Sequence, residues 1–88
     1  MQLTRALAQS YSKHGILVNA IAPGFFNTKL TESLFQDPEK LKVLAGKTMM
    51  NRNGEEEDIF GISVFLCSDA NSYITGQTIF LDGGFTAQ

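Results

Sequence analysis

The sequence predicts an α/β fold built on a parallel sheet, and three observations carry that prediction. Ile16 to Ala22 is an apolar run of strand length that stops at Pro23-Gly24. Gln77 to Leu81 is a second such run, and it stops at Asp82-Gly83-Gly84. Between them lies a long apolar helical stretch opened by four acids, Glu55 to Asp58. Two strands joined through a long helix imply a right-handed parallel crossover. The Pro-Gly elbow then stands at the carboxyl end of the sheet, where open α/β folds bind ligands.

The elements follow in order. Met1 to about Ser12 reads as a helix, because Leu3, Ala6, Leu7 and Tyr11 fall on one stripe. Lys13, His14 and Gly15 end it, as cations and glycine commonly do. Its start has neither capping box nor staple. The strand Ile16 to Ala22 is nearly continuously apolar, as a strand covered on both faces requires. Asn19 is its only polar side chain. Pro23 offers no ladder donor and Gly24 permits unusual dihedrals, so the pair ends the strand. Thr31 to Phe35 can form one short helix. Asp37 as N-cap with Pro38 behind it opens another, Glu39 to Leu44, which Gly46 ends. Thr48 to Asn53 is a loop. The acids Glu55 to Asp58 suit a helix first turn. Ile59, Ile62, Ser63 and Leu66 share one face of that helix, and Phe60, Val64 and Phe65 widen it. Burial over much of its circumference is therefore expected. The helix ends near Ser68-Asp69-Ala70, and Asn71 to Gly76 is a turn before the last strand.

Eighty-eight residues make one domain or part of one. A chain this short buries only about 60–65% of its unfolded surface, so a stand-alone fold is marginally stable. The 43% apolar content is ordinary for a globular protein. Net charge is −2 with scattered basic residues, which points to neither nucleic acid nor a membrane surface. The single cysteine, Cys67, excludes an internal disulfide and fits a reducing compartment. The N-terminus lacks the apolar core of a signal peptide, so a soluble cytoplasmic chain is expected.

Few side chains suggest catalysis. His14 sits at a helix end, where a solvated dipole partner is the better reading. Cys67 lies on the apolar helix and reads as an inert core residue. Four consecutive acids point around a helix rather than at one ion, so no metal site is expected at Glu55 to Asp58. Asp82-Gly83-Gly84 has no helix behind it and reads as a chain-ending turn.

Taken in order, several stretches resemble the C-terminal part of a short-chain dehydrogenase/reductase. They are Leu3-Thr4-Arg5-Ala6-Leu7-Ala8, then Gly15 to Gly24 with Thr28, then Arg52-Asn53-Gly54-Glu55, then Ile74-Thr75-Gly76-Gln77 and Leu81-Asp82-Gly83-Gly84. The combination is highly specific and covers essentially all 88 residues. Met49 and Glu56 stand where the family often has proline. In texture the chain is most similar to gluconate or sugar-acid dehydrogenases, with 3-oxoacyl-acyl-carrier-protein reductases next.

The resemblance implies the C-terminal portion of a Rossmann-like doubly wound parallel sheet: two parallel strands, flanking helices and a helical lid. It makes residues 1–88 a single partial domain, with 31–46 as a lid over substrate. It implies an oxidoreductase that interconverts a secondary alcohol and a ketone using NAD or NADP. Pro23 and Gly24 would lie beside the nicotinamide. The backbone of Phe26 would bond its carboxamide, and Thr28 would reach carboxamide or phosphate. No catalytic residue is implied within this stretch. The family's Tyr-x-x-x-Lys pair is matched neither by Tyr11, with Gly15 four places on, nor by Tyr73, with Gln77. The lysine would lie a few residues before Met1. The 88 residues alone are therefore expected to be inactive and to bind cofactor weakly or not at all. The family's helices and last strand make subunit contacts, so a homo-oligomer is expected. An oligomerisation module without catalysis is the competing reading.

Overall fold

A computed structural model describes residues 1–27 and 36–88 of the chain. The order is helix α1 (Gln2–Tyr11), strand β1 (Ala20–Pro23), helix α2 (Pro38–Gly46), helix α3 (Glu56–Cys67) and strand β2 (Thr78–Leu81). The two strands pair in parallel, with Ala20 opposite Thr78 and Pro23 opposite Leu81. The α/β class and the parallel pairing are therefore as the sequence predicts. The short helix expected over Thr31 to Phe35 lies outside the described residues.

Helix α1 starts at Met1 without a side-chain cap and runs into one 3-10 turn, Ser12–His14. Gly15 stops it in the left-handed region, at φ 81°. The expected apolar stripe, however, faces outward. Leu3 is 71% exposed and Tyr11 47%, whereas Ala8 is buried and Thr4 and Ser12 are half-buried. Small residues spaced four apart turn inward because the helix lies close to the turn before β2. A Cβ on Gly76 would stand 3.4 Å from that of Ala8. Larger side chains on that face would hold the helix off.

Strand β1 begins four residues later than predicted and includes Pro23. Residues 16–19 do not enter the ladder, because the 71–77 turn claims their polar groups. The Val18 N–H donates to Thr75 Oγ1 at 3.0 Å. Asn19 Nδ2 donates to the Ile74 carbonyl, and Asn19 Oδ1 accepts the Gln77 N–H. The Gly76 N–H donates to the Val18 carbonyl at 2.7 Å. The Ser12 and Thr75 hydroxyls share a bond of 2.8 Å. Asn71, itself buried, bonds the Ile74 N–H and carbonyl. Pro23 is tolerated because Ala20 and Gly24 are the N–H donors toward β2. By strand alternation, the missing donor of Pro23 falls on the opposite edge.

Helix α2 has the predicted opening. Asp37 Oδ1 accepts the Glu39 and Lys40 N–H groups, and Pro38 takes the first helical position. Helix α3 opens on Glu55, whose N–H donates to Asp58 Oδ2 at 2.8 Å. Its burial differs from expectation. Phe60 is 56% exposed and Val64 68%, and no residue of the helix is buried. Cys67 is exposed rather than part of a core. Nothing in the described part of the chain packs on that side of α3.

Candidate functional site

The elbow after β1 is held from two sides. On one side the Gly24 N–H donates to the Leu81 carbonyl at 3.0 Å. On the other, Phe26 and Gly54 form a parallel bridge. Within it the Gly54 N–H donates to the Phe25 carbonyl at 2.8 Å, and the Asn27 N–H donates to the Gly54 carbonyl at 3.0 Å. Neighbouring peptides alternate in direction, so the N–H and carbonyl of Phe26 point away from loop 52–54.

Two close approaches make the corner tight. A Cβ on Gly24 would lie 2.8 Å from Asp82 Cβ and 3.0 Å from Asp82 Cα. Gly24 is therefore required by the nearness of β2's end, and not by an unusual dihedral as the sequence reading has it. Its φ is not positive. A Cβ on Gly54 would stand 2.6 Å from Cζ of Phe26. The Phe25 ring meets Phe85 edge-on, centroids 5.3 Å apart, so the C-terminal turn also braces the elbow.

A cleft of about 100 Å³ opens here, lined by Phe25, Phe26, Met50, Arg52, Gly54 and Leu81 among others. Arg52 grips Asp58 with both terminal nitrogens, at 2.8 and 2.9 Å. That hydrogen bond, with the one from the Glu55 N–H, holds the Asp58 carboxyl at about 2. Asp82 is also held low, chiefly by the Thr86 hydroxyl at 2.6 Å and then by the Thr86 and Gly84 N–H groups. Both carboxylates near the elbow thus stay ionised, and neither suits a proton donor at neutral pH. The N–H and carbonyl of a single residue in extended backbone point to the same side, a donor and an acceptor that complement a planar carboxamide.

The structure brings Pro23, Gly24 and Phe26 together at the carboxyl end of β1, with Pro23 exposed and the other two half-buried. Thr28 lies outside the described residues. Gly54 and Asp82 were not singled out from the sequence as site residues. Gly54 stood in the Arg52-Asn53-Gly54-Glu55 stretch, but nothing in the spacing says that an aromatic ring rests on it.

Residues 1–86 match the family described as enoyl-(acyl carrier protein) reductase. The chain belongs to the short-chain dehydrogenase/reductase family. A tropinone reductase homolog from Arabidopsis thaliana is 47% identical over 85 residues, which are 97% of this chain and 32% of the relative. Gluconate 5-dehydrogenase from Gluconobacter oxydans is 40% identical over 84 residues, 96% of this chain and 33% of the relative. A solved gluconate 5-dehydrogenase from Burkholderia cenocepacia, in complex with NADP and tartrate, superposes with a TM-score of 0.91. That structure is 34% identical, and the match covers 99% of this chain and 34% of the other. The chain spans about a third of the length of the curated relatives it matches. The short-chain dehydrogenase/reductase family is one of NAD(P)-dependent oxidoreductases, and the parallel β1–β2 pair with its helices is the C-terminal portion of that family's Rossmann fold. Among the described residues, no helix is long and apolar enough to cross a membrane.

Proposed function

We propose that this chain forms the nicotinamide-side wall of an NAD(P)-dependent site that interconverts a secondary alcohol and a ketone. A sugar acid such as gluconate is the proposed substrate. The observation that carries the reading is the direction of the Phe26 N–H and carbonyl, turned away from loop 52–54 on a corner held from both flanks. Such a corner can orient a carboxamide without rearranging, which is the protein's share of hydride transfer. When bound, the cofactor supplies the hydride chemistry. Pro23 and Gly24 set the wall, the Phe26 backbone bonds the carboxamide, and Thr28 reaches carboxamide or phosphate. Residues 31–46 act as the lid, with α2 tied back through Asn53 Nδ2 to the Leu41 carbonyl. The relatives named for gluconate and the NADP-bound neighbour support the substrate and cofactor classes.

The 88 residues are expected to give no turnover alone with NADP and gluconate. The positive test is a hybrid in which they replace the matching third of the Gluconobacter enzyme. Retained gluconate oxidation, lost on Gly24→Val, supports the reading. A folded hybrid that no longer binds NADP sinks it.

A second reading, that the chain associates with copies of itself, is favoured by its apolar surface. Among the described residues only one apolar side chain, Ala8, is buried, while Phe60, Val64 and Phe80 stand exposed. Exposed apolar faces of that kind drive association. Light scattering giving a monomer mass at high concentration would rule it out.

A further inference from the structure

We infer that Gly54 is a positioning residue for the elbow, seating the Phe26 ring on its bare Cα and so fixing the direction of the Phe26 peptide. The inference rests on the cofactor reading only for what that peptide holds. Three ring atoms crowd the place where a Cβ would go: Cζ at 2.6 Å, Cε1 at 2.7 Å and Cε2 at 2.8 Å. Real carbons do not approach so closely, so any side chain at 54 must lift the ring or part the two strands of backbone. Those strands are joined by the two bonds through Phe25 and Asn27. The ring and the bonds cannot both survive an added carbon. The ring also lines the cleft with Thr48, Met50 and Leu81, so lifting it reshapes the cleft as well as the corner. Loop 52–54 is fixed in turn, because Arg52 holds Asp58 at the start of α3 and donates to the Asn53 carbonyl. The direction of the elbow is therefore set by a residue on the far side of the α2 excursion, through the absence of a side chain.

The test is amide hydrogen exchange by NMR on the full 88-residue chain, comparing wild type, Gly54→Ala, Phe26→Ala and the double variant. In Gly54→Ala, the amides of Asn27 and residue 54 should lose about tenfold or more of their protection, while Ala20 and Gly76 keep theirs. The double variant should regain protection at Asn27, because the smaller residue at 26 makes room. A general loss of stability would move all four amides and would not be rescued. Unchanged protection of Asn27 in Gly54→Ala, or no recovery in the double variant, overturns the inference. If Gly54→Ala does not fold, a folded double variant supports the inference and an unfolded one overturns it. Titrating NADP into the hybrid with the Gluconobacter enzyme, which carries the rest of the site, tests the cofactor reading separately. A missing response at Phe26 beside a clear Gly54→Ala effect breaks that reading alone.

Discussion

The two ends of the β1–β2 pair are held by different physics. Where the strands begin, polar side chains fasten backbone to backbone: Ser12 to Thr75, Thr75 to Val18, Asn19 to Ile74 and Gln77. Where they end, glycines let chain segments touch, Gly24 against Asp82 and Gly54 against Phe26, with Phe25 on Phe85 beside them. The first end is specified by hydrogen-bonding groups and the second by volume. The first should resent the loss of an oxygen, the second the gain of a carbon. The volume-specified end is also the one at the carboxyl edge of the sheet, where a ligand of such a fold belongs.

The largest effect expected from that contrast is at Gly24. Adding one methyl forces β1 and β2 apart at backbone atoms, which should cost about 2–3 kcal/mol in urea unfolding. A neutral Gly24→Ala would mean that the corner is looser than described. At the other end, Thr75→Val keeps the shape but strips the partner from the Val18 N–H. A loss of about 1–2 kcal/mol is expected, with Ser12→Ala costing less because no backbone group is orphaned. Equal losses in the two variants would erase the distinction. Away from both ends, Gly61→Ala in α3 meets open space and should stabilise by about 0.5–1 kcal/mol. A destabilised variant would show that something does cover that face.

The smallest effect concerns the exposed Arg52–Asp58 pair beside the elbow. Asp58 titrates at about 2 in the folded chain against 3.8 for the free group. A depressed carboxyl lends stability that is whole above about pH 4 and fades as pH falls through about 2. Circular dichroism should show wild type ahead of Asp58→Asn above that window and level with it below. An advantage that persists at the acid end would place its source elsewhere.

Much of this architecture was legible in the sequence because it rests on local chemistry. Asp37-Pro38 opens α2 as its cap geometry requires, and the acids from Glu55 onward open α3. The terminal strand and the parallel pairing follow from apolar runs and the helix between them. The errors came where partners distant in sequence decide. The α1 stripe turned out because Ala8 had to meet Gly76. Residues 16–19 left the ladder because Thr75, Ile74 and Gln77 took their bonding groups. Cys67 and the apolar face of α3 read as core, because periodicity tells which residues group together and not whether anything covers them. At the elbow the sequence names Pro23, Gly24 and Phe26 but gives no sign of the Phe26 ring resting on Gly54, since a bare Cα leaves no pattern.

Pro23 has one more consequence. Any strand laid along the outer margin of β1 meets a donor at Ile21 and none at Pro23. The stitching between them must stop one rung early. With such a strand in place, the sheet would open into a notch beside the corner, where a flat ring would find no backbone bond to break.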